Sequence, residues 1–279
     1  MAKLYRSREG LILSADTKTQ LTVLGSQTAP GALLVPGSMS FLEAAIVTFG
    51  SEMDAAESSA LLLRLEGPGI SRGNFVCAAG GLGAQVATGA SGAIPAVRIP
   101  IGIKVTPGQE VLVFSELLGT DPGTTSVGIT LVFSTELGGA PEIKSEITVE
   151  GEVTGESTLT RLTTQGSVSA PSRLTPPDAT KITRLVAAAG ADGAAGGSAA
   201  MLVRLGGDAI KGGEQTIFVC GLSSQTVQTG SDTAGLLVAP NVLENIDIEV
   251  TPNETLDISA EMIGVDIGDT TIVVTAMFE

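Results

Sequence analysis

Whatever chemistry this chain performs falls to its acids and bases, because it contains no histidine. That absence removes the commonest general base, every Ser-His or Cys-His nucleophile pair and the usual zinc ligands. Carboxylates remain. Asp266 and Asp269, with Asp121 as the counterpart of the first, lie in two short loops, Gly119 to Thr124 and Gly264 to Asp269. Two carboxylates plus loop carbonyls are oxygen donors of the kind calcium takes, and turn formation explains an Asp close to Gly equally well. Asp247 and Glu249 stand two apart on one face of a strand and could hold a cation or act as an acid/base pair. Their counterparts Gly102 and Lys104 point instead to a solvated surface. No metal or cofactor is expected, and the chain is read as not an enzyme.

Arg64 and Arg204 are more informative, because each interrupts an apolar strand pattern and each has a glutamate, Glu116 or Glu261, in a later strand. The expectation is one ion pair per module, Arg64 with Glu116 and Arg204 with Glu261, orienting neighbouring strands; two unrelated pairs of surface charges are the alternative. The glycine-rich stretch Ala78 to Gly83 lacks phosphate-loop spacing and reads as a mobile or closely packed loop.

These candidates come in twos because the sequence does. Glu9-Gly10, Leu21-Thr22, Gly25-Ser26, Leu33 and Pro36 recur in the same order as Glu150-Gly151, Leu162-Thr163, Gly166-Ser167, Leu174 and Pro177. Ala60 to Leu65 matches Ala200 to Leu205, Phe75-Val76-Cys77 matches Phe218-Val219-Cys220, and Ile103 through Phe133 matches Ile248 through Phe278. The reading is a tandem duplication: a basic arm over residues 1–8, a first module over 9–136, a linker and start of the second module over 137–149, and a second module over 150–279.

Each module reads as strands. Ile101 to Val105 and Ile246 to Val250 alternate apolar with polar or small residues, and Thr-Pro-Gly or Thr-Pro-Asn stops each one. Further strands are expected at Ala44 to Phe49, Ala60 to Leu65, Asn74 to Ala78, Glu110 to Leu118 and Ser126 to Ser134, with counterparts at Ile182 to Ala188, Ala199 to Leu205, Gln215 to Cys220, Glu254 to Ile263 and Thr270 to Phe278. Good helix formers at Phe41 to Ile46 and Met53 to Leu65 compete with this, but the glycine-rich partner of the second segment leaves room for a short helical turn at most. The fold class is all-β: two tandem, homologous eight-stranded β-sandwich domains of jelly-roll type.

Composition narrows the function. A formal charge of −15 is the wrong sign for coating nucleic acid, although Lys3, Arg6 and Arg8 make the first residues a locally basic arm. No apolar run reaches the roughly 18 residues that cross a bilayer, and no export signal is expected. Cys77 and Cys220, at matching places in the repeat, are expected to be buried reduced thiols in separate cores.

In its architecture, module length and order, the stretch from Glu9 to Glu279 resembles the tandem jelly-roll major capsid proteins of tailless icosahedral viruses. The resemblance implies a structural, self-assembling protein of the virion, put together in the host cytoplasm. It implies homotrimers forming pseudo-hexagonal tiles, minor capsid proteins as further partners, and an arm of Lys3, Arg6 and Arg8 facing an internal membrane or genome. The alternative is a two-domain carbohydrate- or calcium-binding surface or adhesion protein that uses the two acidic loops.

Overall fold

The structure is a computed structural model and describes residues 2–28, 32–53, 57–84, 90–121, 123–169, 171–192, 197–224 and 236–279. The described residues contain strands and no helix. The first half carries β1 (Lys3–Ile12), β2 (Thr19–Gln20), β3 (Val23–Leu24), β4 (Gln27–Thr28), β5 (Leu33–Leu34), β6 (Phe41–Met53), β7 (Glu57–Glu66), β8 (Asn74–Ala84), β9 (Ala90–Lys104), β10 (Glu110–Gly119) and β11 (Thr125–Ser134). The second carries β12 (Ser145–Val153), β13 (Thr160–Arg161), β14 (Lys181–Ala191), β15 (Gly197–Gly206), β16 (Gln215–Ser224), β17 (Leu236–Val238), β18 (Asn241–Glu249), β19 (Asp257–Gly264) and β20 (Thr270–Phe278).

The chain is all-β and builds two tandem sandwiches. In the second module one sheet runs β12-β20-β14-β18 and the other β13-β19-β15-β16. The first module repeats this as β1-β11-β6-β9 and β2-β10-β7-β8, adding β3 and β4 beside β1 and β5 on β10. The eight shared strands are therefore divided between two sheets in jelly-roll order, with all ladders antiparallel. Alternation of side chains does the sorting: along β10 the burial runs exposed, buried, half-buried, buried, as in a strand with one face on the core.

Two expectations change here. Residues 3–8 are not a free basic arm, because they form the start of β1 and pair residue by residue with β11, from Lys3 opposite Ser134 to Arg8 opposite Ile129. Ladder hydrogen bonds and an ion pair from Lys3 to Glu43 at 2.6 Å hold them in the sheet. Ala78 to Gly83 is not a loop but the middle of β8. The helical alternative also gives way, since residues 41–53 and 57–66 are strands; residues 54–56 lie outside the described set.

The modules do not stand apart. The β12-β20-β14 sheet lies on the outer face of β8-β7-β10, so β20 is buried along its whole length. Its Ile272, Val274, Ala276 and Phe278 face the second core, while Val273 and Met277, with Val186 and Ala188 of β14, join the first. The approach is closest where side chains vanish. A Cβ built on Gly190 would overlap the carbonyl oxygens of Leu82 and Ser59, and one on Gly81 would overlap the carbonyl of Ala189. Glycine is required there because the two backbones meet directly. Finally, β17 leaves the second module and adds to the edge of β8, pairing Leu236 to Val238 with Gly83 to Gly81.

Candidate functional site

Polar chemistry concentrates on the seam between the modules. Arg64 on β7 and Glu116 on β10 are cross-strand neighbours, and Arg64 Nε donates to Glu116 Oε2 at 2.6 Å. The pair is almost fully buried, with side-chain exposures of 6% and 0%. A charge pair so desolvated needs its remaining hydrogen-bonding capacity filled, and the second module fills it. Arg64 Nη2 donates to the carbonyl of Gln165 at 2.8 Å, and the Ser167 amide donates to Glu116 Oε1 at 2.6 Å. Between them Gly166, at φ 57°, lets the turn lie flat on the carboxylate.

Glu150 on β12 holds that turn from behind. Its Oε1 accepts the Gly166 amide at 2.9 Å and the Thr164 hydroxyl at 3.1 Å, while its buried Oε2 has no hydrogen-bond partner among the described residues. Burial pushes the Glu150 carboxyl above the usual carboxylate range, the turn's hydrogen bonds oppose this, and Asp16 and Glu116 add to the upward push. Asp16 is raised too, first by burial and then by Glu116. Asp16 and Glu150, with Gly119, Thr164 and Gly166, line a cleft of about 500 Å³ along this seam.

A ladder of hydroxyls continues the seam. Thr148 Oγ1 donates to the carbonyl of Val76 at 2.8 Å and pairs with Thr275 Oγ1 at 2.9 Å, which accepts the Ala78 amide at 2.9 Å. Ser58 and Thr271 share a hydroxyl bond at 3.0 Å. At one end Arg72 reaches Glu146 at 2.6 Å, and Glu146 also accepts the Val76 amide. These bonds supply β8 with partners along the stretch that β17 does not cover.

In the second module Arg204 Nη2 donates to Glu261 Oε2 at 2.6 Å, with Glu214 as a further acceptor of Arg204 at 3.2 Å. This pair is open, with Arg204 33% and Glu261 11% exposed. Asp121 and Asp266 each accept the amide two residues on, from Gly123 at 3.0 Å and Gly268 at 2.9 Å, and Asp269 is exposed beside its loop. No group of three or more metal-ligating side chains occurs among the described residues. Lys3 is held by Glu43. Arg6 donates to the carbonyl of Tyr5, and Arg8, buried, donates to the carbonyls of Ser7 and Ala32.

The cysteines correct the repeat alignment. Cys77 lies opposite Leu63, the position of Val203, which pairs with Ile217; Cys220 lies opposite Met201, the position of Leu61, which pairs with Gly80. Register therefore puts Cys220 where the first module has Gly80, and Phe218 where it has Ala78. Both thiols are free, Cys77 buried and Cys220 half-buried. Burial raises both, Cys220 to about 12.

Sequence reading missed Glu150, Asp16 and the Gly166 turn as site residues. Glu9-Gly10 with Gly25-Ser26 and Glu150-Gly151 with Gly166-Ser167 were the available signal: the carboxylate and the turn that it holds recur together, Glu9 Oε1 accepting the Gly25 amide at 2.9 Å.

No protein-family model matches the chain, and no curated protein sequence matches it. Among solved structures it is similar to VP54 of PBCV-1, fitted into a reconstruction of the virophage Sputnik, at 8% identity and a TM-score of 0.33, covering 99% of this chain and 94% of that one. It is similar to the major capsid protein P2 of bacteriophage PM2 at 11% identity and a TM-score of 0.33, covering 99% and 97%. It is also similar to PNGase F, a glycosylasparaginase from Flavobacterium meningosepticum, at 10% identity and a TM-score of 0.37, covering 99% and 96%. Likenesses of this size place no function on the chain. They do remove one expectation: enzymes were set aside from the sequence, and that exclusion does not stand, since an amidase matches over the same length as the capsid proteins.

Proposed function

We propose that this chain is a self-assembling coat subunit, the major capsid protein of a tailless icosahedral virus, which forms pseudo-hexagonal trimers that tile a shell in the virion. The observation that carries this reading is the weld between the modules. Two copies of one jelly roll are joined by a buried sheet-on-sheet contact with interlocking glycines and a buried ion pair, which makes the molecule one stiff block rather than two beads on a linker. Stiff blocks with repeated faces suit a lattice, where the same contact recurs many times. Other copies of the chain are then its main partners, with minor capsid proteins at lattice discontinuities. An internal membrane or genome is in reach only of those β1 charges that stay exposed, Lys3 and Arg6. Light scattering on the purified full chain, followed by negative-stain imaging, tests the reading. Discrete oligomers or shells are expected, and a monomer at high protein concentration would overturn it.

A second reading rests on Glu150, a carboxyl that burial raises above the usual carboxylate range, at the edge of a cleft that also contains Asp16. Such a pair suits hydrolysis with Glu150 as general acid. Release of glycan from asparagine-linked glycopeptides, lost in Glu150→Gln, is the result that would favour this reading.

A further inference from the structure

The contact between the modules is heterologous. It uses the β8-β7-β10 face of the first module and the β12-β20-β14 face of the second. Because the modules are copies, each also owns the kind of face that the other has used. Among the described residues, the second module's β16-β15-β19 face and the first module's β1-β11-β6 face have no partner sheet within the chain.

We propose that these two faces form the assembly interface. The β16-β15-β19 face of one copy docks on the β1-β11-β6 face of another, seating the turn Leu24-Gly25-Ser26 on the Arg204–Glu261 pair. The inference rests on the self-assembly reading and deepens it by naming the surfaces.

Both halves of the contact exist and match in register. The Gly25 turn has φ 58° and is held by Glu9 as the Gly166 turn, at φ 57°, is held by Glu150. A Cβ on Gly166 would meet the Glu116 carboxylate at 2.6 Å, whereas one on Gly25 would meet nothing within 4 Å. Arg204 and Glu261 are bonded at the same 2.6 Å as Arg64 and Glu116, through Nη2 rather than Nε and without the covering turn. By register, Ser26 brings an amide to Glu261 and Leu24 a carbonyl to Arg204, whose Nε has no acceptor among the described residues.

The sheets match as the turns do. Ser7 and Thr130 form a hydroxyl pair at 2.8 Å at the register position of Thr148 and Thr275, the pair that binds the β8 backbone. On the opposing side, Gly221 takes the position of Gly81. A Cβ on Gly81 would overlap Ala189, while one on Gly221 has its nearest neighbour at 4.0 Å. The surface that would receive Gly221 is a groove of about 580 Å³ whose lining includes Phe49, Gly50, Ser126 and Gly128, the counterparts of Ala189, Gly190, Thr271 and Val273. Phe218, 61% exposed at Ala78's position, and Leu24, 44% exposed, supply apolar area that a solitary molecule would leave in water.

One element does not repeat. The counterpart of β17 is fused into β9, which runs paired with β6, so the edge of β16 gains no added strand from the docking copy. The contact is head-to-tail, so it propagates until the rotation closes a ring.

Arginine substitutions at Gly221 and Ser126 test it. Both positions are exposed, and neither is in the seam. By light scattering on the full chain, the wild type is expected as an oligomer. Gly221→Arg and Ser126→Arg are each expected to run as the 28.0 kDa monomer with unchanged circular dichroism. Mixing the two variants is the sharper measurement, because each retains the face that the other has lost, so a dimer that grows no further is expected. Variants that assemble like the wild type, or a mixture that stays monomeric, overturn this interface while leaving self-assembly standing. A monomeric wild type removes both.

Discussion

The Ser167 amide donates to the Glu116 carboxylate at 2.6 Å across the module boundary, so a first-module ion pair is completed by second-module backbone. Breaking one partner leaves Arg64 buried and uncompensated. Glu116→Gln is expected to lower stability by about 3 kcal/mol, the scale for disrupting a buried pair. The counterpart Glu261→Gln, whose arginine is solvated, is expected to cost clearly less. Urea unfolding of both variants makes the comparison, and equal losses would show that the second module does not complete the pair.

Glycine contacts give a second asymmetry between matched positions. Gly190→Ala forces a methyl into the carbonyls of Leu82 and Ser59, and is expected to cost about 1–3 kcal/mol as an overpacking change. Gly221→Ala, in open space, is expected to stay within about 0.5 kcal/mol in dilute protein. Thermal melts monitored by circular dichroism distinguish them.

Much of the fold was legible because alternation survives wherever one sheet face meets water. The strand reading at Ile101 to Val105 and Glu110 to Leu118 falls within β9 and β10. The module seam was written less plainly. Thr270 to Phe278 and Ile182 to Ala191 are nearly continuous apolar or small runs, whereas their counterparts in β11 and β6 alternate, which is the mark of a strand covered on both faces. Glycines in β8 looked like a loop because sequence does not distinguish a flexible backbone from one pressed against another backbone. The basic residues of β1 looked like an arm because three charges in six positions hide the partner strand that pairs with them. Glu150 was visible only as a repeat landmark, since its shifted acidity comes from docking, which a linear pattern does not encode.

That acidity has a sign. The folded-state pKa of Glu150 is raised by burial, so the folded protein holds a proton that the unfolded chain releases at ordinary carboxylate pH. Its contribution is therefore fully present below the unfolded pKa and is lost as pH rises through the folded one. In Glu150→Gln this loss is expected to vanish, so that stability falls less steeply with rising pH than in the wild type over that window. Unfolding free energies measured across it check the slope. Parallel wild-type and variant curves would mean that Glu150 titrates normally.

The thiols offer the last test, and it bears on the corrected register. Cys77 is buried in the first core, and burial lifts Cys220 to about 12, so neither carries appreciable thiolate near pH 8. Both are expected to react with a disulfide reagent only as the strands that cover them open. Cys220 replaces Gly80 by register and is less deeply covered, so it is expected to label first when mild denaturant loosens β16. Mass spectrometry of partly labelled protein reads the order. Cys77 labelling first would show that β8 opens before β16, which would contradict a seam that locks the first module's sheet beneath the second.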